Sequence, residues 1–222
     1  MTSSFQLRQL RTGTCWLCGG VLCWLLVVLV PITCSAMEIR RVPTSEGVVL
    51  RLRGATREGD LSRLKSHFRG KKRILGFDLG SDGGILEEGL RIADLTRRKK
   101  LIVYVADECD SVCADVFFAG VKRYYRPNPK IGVHAVSNYR DIEDAQSKLL
   151  TLKQARLWAK QGVPNSAIGK MVTTRPEAIT YLDRTDLSGL DASEGNPFAT
   201  QCRHGKRRGT RATIKLHSSI EC

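Results

Sequence analysis

The chain has 222 residues, enough for one well-buried domain with a short extension but not for several. Hydrophobic residues at 42% and charged residues at 26% are those of an ordinary globular protein. A formal net charge of +14 invites a nucleic-acid reading, but no zinc finger, aromatic RNA-binding signature or Walker loop accompanies it. Nucleic acid is therefore not an expected partner, whereas an anionic lipid or envelope surface suits the charge.

Arg8 and Arg11 precede an uncharged stretch from Thr12 to Met37, with a dense apolar block at Val21–Val30. Pro31 breaks it, and Cys34-Ser35-Ala36 offers small residues for cleavage. This order predicts a secretory signal over 1–36, cleaved near Ala36, which makes the protein periplasmic or secreted. The alternative is a retained inner-membrane anchor, since Thr12–Thr33 is long enough to span a bilayer. Both place the rest of the chain outside the cytoplasm. Thr33 before Cys34 departs from the small residue that a lipidation signal prefers. Four of the eight cysteines (Cys15, Cys18, Cys23, Cys34) fall in this segment, leaving Cys109, Cys113, Cys202 and Cys222 as disulfide candidates in an oxidising compartment.

A single domain is expected over 37–200. Val48–Leu52 reads as a strand, Asp60–Phe68 as a helix and Ile74–Leu79 as a buried strand. The loop Gly80–Gly84 leads into a helix over Leu86–Arg97, and Leu101–Val105 is the clearest strand, apolar and rich in β-branched residues. A small-residue helix over Val112–Ala119, a strand near Tyr124 and another at Lys130–His134 follow. Strands alternating with helices predict parallel βαβ units. Asp141–Lys160 reads as a long amphipathic helix with Ala145, Leu149, Leu152 and Ala155 on one side. Gly162-Val163-Pro164 ends it, and Pro164 suits the first turn of a next helix. Residues 201–217 carry six Lys/Arg and no acid, and 201–222 reads as a basic tail.

Three segments could carry chemistry. Asp82-Gly83-Gly84 opens a helix after a buried strand, where glycines free backbone N–H groups to meet an anion; a plain glycine-rich helix start looks the same. Cys109-Asp110-Ser111-Val112-Cys113 joins the best strand to the next helix, so Ser111 is either an exposed nucleophile or a helix cap. Ile131-Gly132-Val133-His134 ends a strand in a histidine that serves as general base only if a nucleophile lies beside it.

In this order and spacing the three segments resemble the proteolytic subunit of Clp proteases and its crotonase-like superfamily. Leu50–Gly59 is similar to that family's opening strand and turn. Asp78–Gly84 is similar to its Asn-Ser-Pro-Gly-Gly loop, with Asp82 at the proline. Cys109–Gly120 is similar to its Ala-Ala-Ser-Met-Gly stretch, and Gly132–His134 to the strand of its catalytic histidine, 23 residues after Ser111. The cysteine-flanked serine and the export signal resemble an exported bacterial branch. The resemblance implies an α/β fold, a crotonase-like spiral of ββα units with a mostly parallel sheet. It implies a serine peptidase or hydrolase in which Ser111 attacks, His134 takes its proton and the N–H groups of Gly84 and Val112 hold the oxyanion. The third member is open. Counting back from Gly189-Leu190 reaches Thr173 and Thr174, counting forward from His134 reaches Asp183, and a Ser–His dyad serves equally.

No cofactor and no metal are expected; Cys109 and Cys113 alone are too few ligands for zinc. Cys113 in a first helical turn is a rival nucleophile. Partners implied are a peptide or protein substrate, an anionic envelope surface and a homo-oligomer. Two other readings of the fold are a non-enzymatic scaffold that binds an envelope partner through its basic surface and, last, a thioester enzyme using the same oxyanion N–H groups.

Overall fold

Eight strands and six helices make up the part of the protein described by the computed structural model, residues 36–199 without Tyr139 and Asp141. In chain order they are β1 (Glu38–Pro43), β2 (Val48–Arg53), α1 (Asp60–His67), β3 (Ile74–Ser81), α2 (Leu86–Arg98), β4 (Ile102–Asp110) and α3 (Val112–Phe118). Then come β5 (Lys122–Tyr125), β6 (Lys130–Val133), α4 (Ala145–Lys160), α5 (Asn165–Thr173), β7 (Thr180–Tyr181), α6 (Arg184–Gly189) and β8 (Ala192–Glu194). The sheet runs β1-β2-β3-β4-β5-β8, with β6 paired to β4 and β7 to β6. Strands β1–β2 and β6–β7 pair antiparallel, and the other pairings are parallel.

The apolar runs of β2, β3 and β4 form the middle of this sheet because both their faces are covered. Leu50, Phe77, Val103 and Val105 are all fully buried, as continuous hydrophobic strands in a parallel sheet require. Helices α2 and α3 pack over them through Ile92, Leu95, Ala114 and Phe117. Strand β1, rich in charge at an edge, gave no apolar pattern to find.

Strand β4 is longer than the apolar run that announced it. Its first half pairs with β3 and β5, then a bulge intervenes between the pairs Leu79↔Val105 and Ser81↔Cys109. Glu108–Asp110 afterwards pairs with β6. The second half is polar, so only the pairing reveals it as strand.

Helix α4 starts at Ala145, capped by Asp144 and Ser147 in a reciprocal capping box, and not at Asp141. The apolar side expected from sequence is turned mostly outward, with only Ala155 packed against the core. Leu149 and Leu152 are each 50% exposed, while Ser147, Thr151, Gln154 and Trp158 are buried. Buried polar partners decide this: Thr151 receives the Val136 N–H, and Gln154 and Trp158 bond to Asp115 in α3.

The connections before β3 and β4 lie at the N-terminal ends of neighbouring strands. They gather Lys71, Lys72, Arg73 and Lys99 around a shallow cavity of about 300 Å³, at the end of the sheet opposite Ser111. Among the described residues no helix is long and apolar enough to cross a membrane. The expected export signal up to Ser35, the basic tail, Cys202 and Cys222 lie outside the described residues.

Candidate active site

The buried strand β4 delivers Ser111 to the start of α3 through a sharp turn. Ser111 has φ 57° and ψ −127°, a region that non-glycine residues seldom occupy, and its side chain makes no cap hydrogen bond. A serine serving as an N-cap would have an extended backbone and accept from the first turn. Ser111 does neither, which removes the capping explanation for this residue.

Pairing of β4 with β6 then brings the histidine close. Asp110 lies opposite Gly132 in parallel register, and the Ser111 N–H donates to the Gly132 carbonyl at 2.9 Å. His134 is two residues beyond Gly132 and directly follows β6, which runs alongside β4 at the ~4.8 Å spacing of a sheet. Both side chains line one cavity of about 510 Å³. The His134 Nδ1 lies 2.7 Å from the Ala135 carbonyl. A carbonyl can only accept, so Nδ1 carries a proton, and Nε2 is the nitrogen left to act as a base.

The glycine loop completes the wall. Thr56 forms a bridge to Gly84: its N–H donates to the Gly83 carbonyl at 2.6 Å, and its carbonyl accepts from Ile85 at 3.0 Å. In this pattern Thr56 engages the residues on either side of Gly84, so the N–H of Gly84 itself points away from Thr56. A Cβ at Gly84 would come within 2.2 Å of the Thr56 carbonyl, and one at Gly83 within 2.7 Å of the Ser111 Cβ. Both glycines are needed for these close approaches. Val112, the first residue of α3, has an amide without an intrahelical acceptor. Gly84 lines the same cavity as Ser111, and Val112 follows it directly.

Asp183 is elsewhere. It is exposed, caps α6 by accepting from the Thr185 and Asp186 N–H groups, and pairs with Lys170 at 2.8 Å. These bonds hold its carboxyl below the ordinary carboxylate range, Lys170 first among them. It does not line the cavity, so the forward count from His134 is corrected to a structural cap. The backward count ends nearer the histidine: the Thr174 carbonyl accepts from the Ala135 N–H at 2.9 Å. Thr174 has no acid to offer, and its hydroxyl is engaged with the Lys170 carbonyl and Thr180. Thr173, the other residue that count reached, is exposed.

Cys109 and Cys113 flank the turn with Cα atoms 5.2 Å apart and their sulfurs bonded to each other. The sharp turn at Ser111 separates them, so no continuous helix holds them apart. Among the described residues no His/Cys/Asp/Glu group is placed to hold a metal ion.

Five further residues shape the site without a signal in sequence. Asp115, buried in α3, accepts from Trp158 Nε1 at 2.6 Å and Gln154 Nε2 at 2.7 Å, and both donors line the cavity. Burial raises its pKa to about 6, with the two donors opposing the rise. Arg57 lines the cavity from the turn after β2, and its Nε is buried without a hydrogen-bond partner. Asp110, just before Ser111, has a pKa raised to about 7 by burial and then by the charge of Glu108.

This mostly parallel sheet, with a serine at the β4–α3 turn and a histidine just past the end of the neighbouring strand, is a Clp-protease-like α/β fold. Among solved structures, a variant of ClpP1 from Listeria monocytogenes matches with a TM-score of 0.51 and 20% identity, over 67% of this chain and 92% of that one. ClpP1 from Listeria monocytogenes matches with a TM-score of 0.50 and 19% identity, over 67% and 91%. No protein-family model and no curated protein sequence matches the chain.

Proposed function

We propose that this protein is a serine hydrolase of the Clp-like fold, acting by a Ser–His dyad on short or unfolded peptides. The observation that carries the reading is the strained, uncapped Ser111 sharing a cavity with His134, whose Nδ1 is committed to the Ala135 carbonyl. As Ser111 Oγ bonds to a substrate carbonyl carbon, its proton passes to His134 Nε2. The N–H groups of Gly84 and Val112 receive the charge that develops on the carbonyl oxygen. His134 returns the proton to the leaving amine, and water then releases the acyl group by the same route. The dyad holds its imidazole with a backbone carbonyl where a triad would use a carboxylate.

Export belongs to the same proposal, and so does descent from an exported branch of the fold. Both rest on the order of Arg8, Arg11, the apolar block and Cys34-Ser35-Ala36. Outside the cytoplasm no ATP-driven unfoldase feeds the site, which limits substrates to chains that are already extended. The test is hydrolysis of an unstructured fluorogenic peptide by the purified protein without nucleotide. Turnover that disappears in Ser111→Ala supports the reading; turnover that survives Ser111→Ala overturns it.

A further inference from the structure

The cavity at Ser111 has two ionisable side chains in its lining, His134 and Arg57. Arg57 is the one without an assignment. Its Nε is buried and without a hydrogen-bond partner, and among the described residues no carboxylate forms an ion pair with it. The nearby acid is occupied: Asp60 accepts from the backbone N–H of Arg57 at 2.7 Å and from the Arg63 guanidinium at 2.6 Å. Behind the cavity wall, Asp115 is engaged by Gln154 and Trp158. A cation whose donor is taken out of water without a partner is costly, and it attracts an anion more strongly there than on the surface.

Arg57 is also held where such an anion would matter. It follows Thr56, whose backbone bridges Gly84, and the bond from its own N–H to Asp60 fixes the root of the side chain. Arg57 and Gly84 line one cavity, so a group bound by Arg57 shares that cavity with the N–H that would receive the oxyanion. Ile85, Leu86 and Trp158 line the same cavity, as do Ser137, Asn138 and Gln154, so a bound carboxylate meets both apolar surface and hydrogen-bonding groups there.

We propose that Arg57 is a specificity-determining residue that binds a carboxylate of the substrate close to the bond attacked by Ser111. The planar guanidinium fork matches a carboxylate, and two sources present one: an acidic side chain, or the free C-terminal end of a peptide. The inference rests on the hydrolase reading for its consequence in catalysis, but the binding it describes is measurable without turnover.

The experiment uses full-length protein and three fluorescein-labelled peptides of one length. The first carries Gln at the variable position and a C-terminal amide, the second Glu and the amide, the third Gln and a free carboxylate. Fluorescence anisotropy reports binding, and protection of Ser111 from a fluorophosphonate probe reports occupancy of the site. At least one carboxylate peptide is expected to bind about tenfold or more tightly than the neutral one, the scale of a charge-assisted bond in a sheltered site. A preference for the second identifies an acidic side chain, and one for the third a peptide terminus. Arg57→Gln, checked for an unchanged circular dichroism spectrum, abolishes the preference, and Arg57→Lys retains part of it. If Arg57→Gln does not fold, Arg57→Lys in high and low salt provides the comparison, with the preference shrinking as salt rises. A carboxylate preference in a protein whose Ser111 never labels upholds Arg57 and defeats the hydrolase reading. Equal binding of all three peptides, or a preference unchanged in Arg57→Gln, overturns the proposal.

Discussion

His134 donates from Nδ1 to the backbone carbonyl of Ala135 at 2.7 Å, so the nitrogen that an acid would orient in a triad is already satisfied by the main chain. The strand end that supplies this carbonyl is itself anchored, through the Ala135 N–H to Thr174 and the Val136 N–H to Thr151. A dyad built this way would place its whole proton-transfer burden on one imidazole. His134→Ala should lower the rate of Ser111 acylation about a hundredfold or more, the usual scale for losing a positioned base. Stopped-flow labelling with a fluorophosphonate measures it, and an unchanged rate would remove His134 from the mechanism.

Asp183 should behave as a helix cap. Asp183→Ala removes the bonds to Thr185 and Asp186 and the pair with Lys170, and should shift the denaturation midpoint to lower denaturant. Ser111 labelling per folded molecule should be unaffected. Chemical denaturation and probe labelling of the same samples separate the two effects. A large loss of labelling at full stability would return Asp183 to the site.

The turn at Ser111 stores backbone strain that glycine relieves. Ser111→Gly and Ser111→Ala both remove the hydroxyl, but only glycine is at ease at φ 57°. The glycine variant should be more stable than the alanine variant by about 1 kcal/mol. Gly84→Ala, by contrast, would drive a methyl group into the Thr56 carbonyl and should abolish labelling while Ser111 and His134 are still present. Melting curves for the first pair, and labelling for the second, test both statements.

Cys109 and Cys113 brace this turn from both sides. Non-reducing peptide maps should show them linked to each other, so that Cys202 and Cys222 are left to pair separately. A serine at either position should slow Ser111 labelling by loosening the turn. Four free thiols in exported protein, or a bridge from Cys109 to Cys202 or Cys222, would contradict the assignment.

Asp115 gives a pH signature. Its ordinary value is 3.8 and burial raises it to about 6. Below pH 4 both folded and unfolded chains hold the proton, and there is no penalty. Between 4 and 6 the folded chain keeps a proton that the unfolded chain has released, so this residue's contribution falls as pH rises. Above 6 the full cost of the buried charge is present, roughly 3 kcal/mol for a gap of about two units. The stability of the wild type minus that of Asp115→Asn should therefore fall between pH 4 and 6 and be flat above. A difference independent of pH would show that the carboxyl is not strained by burial. Asp110 contributes in the same direction in both proteins and cancels in the subtraction.

Much of this layout was legible in the residues, because continuous apolar strands and glycine-marked turns leave strong local patterns. Strands β2, β3, β4 and β6 and helices α1, α2 and α3 appear within a few residues of the expected limits, apart from the polar end of β4. Ser111 and His134 stand at the ends of recognisable strands, but only the resemblance to the Clp family, with its 23-residue spacing, paired them. Long-range pairing was not legible. Asp115 meets Gln154 and Trp158 across 39 and 43 residues, and that contact turned α4 so that Leu149 and Leu152 face outward. Arg57 is one of 36 Lys and Arg residues, and only the fold distinguishes it. Asp183 illustrates the opposite error, since a count along the chain carries no information on whether an acid faces a site or caps a helix.

The claim on which the account stands is that Ser111 is an activated nucleophile, and intact-mass analysis after exposure to a fluorophosphonate tests it most directly. A single adduct should form and map to Ser111, absent in Ser111→Ala and strongly slowed in His134→Ala. Folded protein that acquires no adduct, or acquires one at a residue other than Ser111, would contradict it.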